Sequence, residues 1–169
     1  MARRILLLTT GGTIASTPTE EGLAPGLDGE ELAGLLPRGI TDAYDLTIRD
    51  ILHLDSSNIQ PEEWQTIARH VFENRRGYDG IVITHGTDTM AYTASVLSFM
   101  LRGISIPVVL TGAQLPMTHP LSDGLENLRT ALAMAASGVA GVFLAFDRKV
   151  ILGCRAVKTR TTTLTPLRV

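Results

Sequence analysis

Hydrophobic residues along this chain follow two rhythms, and the rhythms alternate. Residues 5–10 form an unbroken apolar and β-branched run that stops at Gly11-Gly12. Similar runs lie at 80–84 (G-I-V-I-T), 107–111 (P-V-V-L-T) and 139–146 (V-A-G-V-F-L-A-F), with weaker ones at 45–49, 51–54 and 149–152. Short apolar runs bounded by turn residues suit strands covered on both faces, as in a parallel sheet. Between these runs the spacing becomes helical. Trp64, Ile67, Ala68, Val71 and Phe72 make one stripe over 61–75, with Pro61 suited to a first turn and Gly77 to a stop. Met90, Ala94, Leu97 and Leu101 predict a helix over 88–101, and Leu125, Leu128, Leu132 and Ala135 predict one over 122–136. A shorter helix begins at Asp28, with Glu31 three residues on as its capping-box partner. Alternating strands and helices predict the fold class: an α/β, three-layer domain with a mostly parallel sheet flanked by helices.

The stretch 16–27, S-T-P-T-E-E-G-L-A-P-G-L, has neither rhythm. It is expected to be a long irregular loop of the kind that forms lids over binding sites. In open α/β sheets, ligands bind beyond the carboxyl ends of the strands. Four segments that follow predicted strands carry polar clusters. They are Thr10-Gly11-Gly12-Thr13, Asp55-Ser56-Ser57-Asn58, Thr84-His85-Gly86-Thr87-Asp88-Thr89 and Thr111-Gly112-Ala113-Gln114. Each has a plain structural explanation. Glycine turns with threonine caps are common, Asp88 could simply cap a helix, and His85 would ordinarily be a packed, hydrogen-bonded histidine. No second His or Cys sits at ligand spacing from His85, so no metal site is expected. The G-x-G-x-x-G and G-K-[ST] phosphate-binding patterns are absent. The signal is that all four turns converge on one sheet edge.

Composition narrows the function. A chain of 169 residues fits one domain, and 44% hydrophobic with 19% charged residues describes a folded core. The net charge of -2 shows no basic excess, so neither nucleic acid nor a membrane is expected as a partner. The single cysteine, Cys154, allows no internal disulfide and suits a reducing compartment. Met1-Ala2-Arg3-Arg4 precedes an apolar run too short for a signal peptide, and no stretch is long enough to span a bilayer. The expected location is cytoplasmic.

Taken together, T-T-G-G-T-I-A-S at 9–16 and I-T-H-G-T-D-T-M at 83–90 resemble the two signature motifs of the asparaginase/glutaminase family. The similarity continues through D-S-S-N at 55–58, T-G-A-Q at 111–114, S-D-G-L-E-N-L at 122–128 and V-K-T-R-T-T at 157–162. It covers essentially the whole chain, in the family's order. The resemblance implies hydrolysis of L-asparagine to L-aspartate and ammonia, with Thr13 as nucleophile and an acyl-threonine intermediate. It implies a second catalytic group of Thr87, Asp88 and Lys158, with Asp88 also holding the substrate's α-amino group. Ser56, with Ser57 alongside, would take the α-carboxylate. Gly12, Gly86 and Ala113 would offer backbone atoms to the substrate, Ala113 near the scissile amide. No cofactor or metal is implied. The expected partner is a small molecule, L-asparagine or L-glutamine. The resemblance also implies a homodimer or homotetramer for the parent protein.

The chemistry is consistent with those roles. A threonine hydroxyl is a weak nucleophile and needs an adjacent base. A lysine serves as base only when its environment strips its proton near neutral pH. Backbone N–H groups of the Gly11-Gly12-Thr13 turn are suited to stabilising the oxyanion formed on attack.

Two features depart from the family pattern. Its lid tyrosine has no counterpart in 16–27, since the tyrosines are Tyr44, Tyr78 and Tyr92. Its second, smaller domain has no counterpart either, so these 169 residues are expected to be the N-terminal catalytic domain, weakly active or inactive alone. Two other readings remain open: a non-catalytic asparagine- or aspartate-binding domain, and the glutaminase subunit of a tRNA-dependent amidotransferase.

Overall fold

The computed structural model describes residues 2–19, 22–25, 27–159 and 167–168. Strand β1 (Arg3–Gly11) runs through the middle of the molecule, with Ile5 to Leu8 fully buried. A short 3-10 turn (Thr13–Ala15) leads into β2 (Ser16–Thr19) and β3 (Gly22–Pro25), which pair antiparallel. The expected irregular loop is therefore a hairpin over most of its length. Its Gly-, Pro- and polar-rich sequence carries neither the apolar run nor the alternation that marks a strand. Residues 20, 21 and 26 of that stretch lie outside the described residues.

Helix α1 (Gly29–Gly34) starts at Asp28 with the predicted capping box. Asp28 accepts from the Glu31 N–H at 2.8 Å, and Glu31 accepts from the Asp28 N–H at 3.0 Å. Then follow α2 (Arg38–Thr41), which has no counterpart among the predicted elements, and β4 (Tyr44–Leu54). The two fragments predicted at 45–49 and 51–54 are one strand. Asp50 interrupts the apolar run, yet it sits on an edge strand where its carboxylate accepts the Thr9 hydroxyl and the Gly29 N–H. The rest follows the predicted alternation: α3 (Pro61–Asn74), β5 (Gly80–Thr84), α4 (Met90–Met100), β6 (Pro107–Thr111), α5 (Gly124–Ala135), β7 (Gly141–Phe146) and β8 (Lys149–Leu152). A short strand β9 (Val157–Lys158) pairs with β10 (Leu167–Arg168). The R-T-T positions 160–162 of the sequence motif fall outside the described residues.

The main sheet has strand order β4-β1-β5-β6-β7-β8, parallel except for β8. Side chains alternate between its faces. Leu6, Leu8, Ile81, Ile83 and Leu110 pack against Ile67, Val71, Met90 and Leu97 of α3 and α4. Ile5, Leu7, Val82 and Val109 pack against Leu32, Leu128, Leu132 and Ala135 of α1 and α5. Helix, sheet and helix form the three layers, so the α/β fold class holds. One predicted stripe residue departs: Phe72 on α3 is 56% exposed, with Arg75 stacked over its ring.

The sequence-order pattern of the five parallel strands is the doubly wound 2-1-3-4-5 arrangement. After β1 the chain moves to one side of the sheet, and after β5 to the other. The connections diverge there and leave a crevice beyond the ends of β1 and β5. No helix among the described residues is long and apolar enough to cross a membrane.

Candidate active site

The crevice is where the polar turns meet. Threonines at the strand ends stitch it together. Thr10 donates its hydroxyl to the Thr84 carbonyl at 2.8 Å, joining β1 to β5. Thr111 donates to the Ala145 carbonyl at 2.9 Å, joining β6 to β7. Beyond these tethers the loops approach closely because glycines face one another. A Cβ on Gly12 would lie 2.5 Å from the Gly86 nitrogen, and Gly12 also has φ 81°, a region that disfavours side chains. A Cβ on Gly86 would lie 2.4 Å from the Ser56 hydroxyl oxygen. The turns after β1, β4 and β5 are thus in backbone contact.

They enclose a cavity of about 140 Å3. Gly12 and Thr13 line it from β1, Ser56 from the turn after β4, and Gly86, Thr87 and Asp88 from the turn after β5. Cavities of about 150 Å3 hold one benzene-sized molecule, so the space suits a single small ligand such as an amino acid. Thr13 is half-buried and Thr87 buried, so both hydroxyls sit at the wall rather than in bulk solvent.

Lys158 reaches the same turn from β9. Its Nζ donates to Thr87 Oγ1 at 3.1 Å and to Asp88 Oδ1 at 2.6 Å. The lysine side chain is 11% exposed and the Asp88 side chain 60%. The buried hydroxyl therefore sits beside a shielded amine, while the carboxylate opens to solvent at the rim. Ala113 is buried beside the site without lining the cavity. Ser57 is exposed and outside the lining, and its hydroxyl donates to Asp55 at 2.9 Å.

The sequence reading missed three lining residues: Ser16, Leu54 and Asp55. Ser16 donates its hydroxyl to the Gly12 carbonyl at 2.9 Å and holds the turn that carries Thr13. The signal for it was its place at the end of T-T-G-G-T-I-A-S. Asp55 accepts the Ser57 N–H at 2.9 Å, which shapes the turn that buries Ser56. An Asp followed by two serines is a recognisable turn signal.

His85 lies beneath the turn, fully buried. Trp64 of α3 donates its ring N–H to Thr93 Oγ1 at 2.8 Å, and Thr93 lies 2.9 Å from His85 Nε2. His85 Nδ1 lies 2.7 Å from the Gly86 carbonyl oxygen. A carbonyl only accepts, so Nδ1 carries the proton. In the neutral ring Nε2 then carries no proton, so it accepts the Thr93 hydroxyl hydrogen while Thr93 Oγ1 accepts from Trp64. Burial disfavours the imidazolium and lowers the His85 pKa from 6.5 to about 4, although the bond to Gly86 pulls the other way. Neutral His85 therefore supports the loop and does not face the cavity. Among the described residues no cluster of three or more His, Cys, Asp or Glu is arranged to hold a metal ion.

Fold and site together define a doubly wound α/β protein with a threonine-walled small-ligand cavity at its switch point. The family model for the N-terminal asparaginase domain matches residues 4–168, and the chain belongs to the asparaginase family. It is 54% identical over 155 residues to the L-asparaginase of Thermococcus kodakarensis, covering 92% of this chain and 47% of that protein. It is 42% identical over 160 residues to L-asparaginase 1 of Escherichia coli K12, with the same coverage. Among solved structures, the thermostable T. kodakarensis L-asparaginase superposes with a TM-score of 0.90 at 51% identity, covering 98% of this chain and 50% of that one. The chain spans about half the length of the curated relatives it matches.

Proposed function

We propose that this chain carries the catalytic site of an L-asparaginase, an amidohydrolase that releases ammonia from the side-chain amide of asparagine. The observation that carries the reading is the Lys158–Thr87–Asp88 group opening onto the cavity that Thr13 also lines. In this reading the Thr13 hydroxyl attacks the amide carbon. Backbone N–H groups of the turn after β1 stabilise the oxyanion. The hydroxyl's proton passes to the departing nitrogen and ammonia leaves; water then adds to the acyl carbon, releasing aspartate, and one of its protons restores the Thr13 hydroxyl. Asp88, at the exposed rim, takes the substrate's ammonium group, and buried Ser56 takes its carboxylate. Lys158 holds the Thr87 hydroxyl and the Asp88 carboxylate together at the cavity wall.

The same reading assigns residues 1–169 to the N-terminal catalytic domain of a longer cytoplasmic protein that assembles as a homodimer or homotetramer. It is supported by the family match and by the length of the relatives. The test is ammonia release from L-asparagine by the full-length protein and by its Thr13→Ala and Thr87→Ala variants. Each substitution is expected to lower kcat by at least about a hundredfold, the scale for removing a nucleophile or a polarising group. Unchanged turnover in Thr13→Ala would refute the assignment.

A further inference from the structure

The turn after β5 is held from beneath by side chains that do not line the cavity. Trp64, Thr93 and His85 form one continuous chain of hydrogen bonds from α3, through α4, to that turn. Thr93 has no exposed surface, His85 is buried and Trp64 is half-buried.

The two ends of the chain fix its direction. An indole N–H only donates, and a carbonyl oxygen only accepts. The Trp64 ring N–H takes up Thr93 Oγ1 as an acceptor, which leaves the Thr93 hydroxyl hydrogen for His85 Nε2 and the Nδ1 proton for the Gly86 carbonyl. Each group has a single role, so none can turn without orphaning the next. Where burial excludes water, an orphaned polar group is costly. The backbone beneath Thr93 is also held, because its N–H donates to the Thr89 carbonyl at 2.9 Å.

The chain ends on the Gly86–Thr87 peptide, and both residues line the cavity. Gly86 must be glycine to fit between Gly12 and Ser56. A glycine gains that close approach at the cost of backbone freedom, since no Cβ restricts its torsions. The bond from His85 removes the freedom from outside. A peptide unit is planar, so a fixed Gly86 carbonyl also fixes the plane from which the Thr87 Cα departs. Thr87 Oγ1 is thereby kept within 3.1 Å of Lys158 Nζ.

We propose that His85, Thr93 and Trp64 are positioning residues for Thr87: their hydrogen-bond chain locks the Gly86–Thr87 peptide and so sets the Thr87 hydroxyl against Lys158. The inference rests on the amidohydrolase reading above, in which Thr87 takes part in turnover. The residues assigned to substrate binding have holds of their own. Thr89 Oγ1 donates to the Ser56 carbonyl at 2.8 Å, and Lys158 holds Asp88 at 2.6 Å. Loosening the chain therefore acts on kcat and leaves KM nearly unchanged.

The test is steady-state ammonia release from L-asparagine by the full-length protein, wild type and with Thr93→Val, Thr93→Ser or Trp64→Phe. Valine keeps the shape of threonine and deletes the hydroxyl, which orphans the Trp64 N–H and His85 Nε2. Serine keeps the hydroxyl and deletes only a methyl group. Thr93→Val should lower kcat roughly tenfold or more and change KM by less than about threefold, since a misplacement of about 1 Å can cost about a hundredfold in rate. Thr93→Ser should keep kcat within about threefold of wild type, because the bonds remain. The indole acts only through Thr93, so Trp64→Phe should lower kcat less, and adding it to Thr93→Val should lower kcat no further. Thermal melts separate these effects from folding, because a threonine that only supports the core would lower Tm and leave kcat unchanged. If Thr93→Val does not fold, Trp64→Phe against wild type carries the same comparison of kcat with KM. An unchanged kcat in Thr93→Val, a loss carried by KM, or equal kcat losses in the valine and serine variants would overturn the positioning role. A wild type that releases no ammonia would overturn the amidohydrolase reading itself.

Discussion

Gly86 has no room for a side chain, and this makes it a sharp probe of the site. A methyl group there would press on Ser56 Oγ and on Ser56 Cβ, 2.7 Å away. Ser56 also has its carbonyl held by Thr89 at 2.8 Å, so it cannot withdraw without disturbing the turn after β5. Gly86→Ala should therefore raise KM for asparagine several-fold or more while the fold survives, as steady-state kinetics and a thermal melt would show. An unchanged KM would mean that Ser56 does not contact substrate.

His85 gives a second prediction at the same scale. Its folded pKa of about 4 lies below the unfolded value of 6.5. Above pH 6.5 the ring is neutral in both states and contributes no pH dependence. As pH falls from 6.5 towards 4, the unfolded chain binds a proton that the folded chain refuses, so stability is lost across that window. The loss amounts to about 3 kcal/mol, since each pKa unit corresponds to about 1.4 kcal/mol. Urea denaturation at several pH values should show a shallower acid loss for His85→Gln than for wild type. Parallel profiles would contradict the burial argument.

Elements were legible wherever a run of side chains shared one environment. The fully buried strands at 80–84 and 107–111 match their apolar runs residue for residue. The capping box at Asp28 was legible because its chemistry is local, and it makes a local prediction. Asp28→Ala should destabilise the protein by about 1 kcal/mol, measured by chemical denaturation, with little effect on kinetics. Other elements hid for physical reasons. The β2–β3 hairpin hid because 16–27 is rich in Gly, Pro and polar residues and has neither the apolar run nor the alternation that marks a strand. In β4 the charge on Asp50 mimics a break, because a sequence does not reveal that Thr9 and Gly29 will satisfy it. Lys158 could be placed only through family resemblance. Its bonds to Thr87 and Asp88 bridge 71 and 70 positions of chain from a two-residue strand, and nothing local announces them.

At the scale of the whole molecule, strand order decides where chemistry can occur. The connections after β1 and β5 diverge, and the crevice between them receives Thr13 from one strand and Thr87 from the other. The remaining strand ends supply support. The turn after β4 buries Ser56, and Asp123 and Asn127 at the start of α5 hold the loop after β6. Convergence of four polar turns on one edge was visible in the sequence, because alternating strands and helices already imply a parallel sheet. The division of labour within that edge was not. It depends on which loops touch through glycine and which are held back by side-chain clamps.

The central claim is that Thr13 becomes covalently acylated by substrate. The most direct measurement is acid quenching of the full-length protein during turnover of L-asparagine, followed by peptide mass spectrometry. The account predicts an aspartyl adduct on the peptide containing Thr13, absent in Thr13→Ala. Ammonia release with no adduct on Thr13, or with an adduct on Thr87 instead, would contradict it.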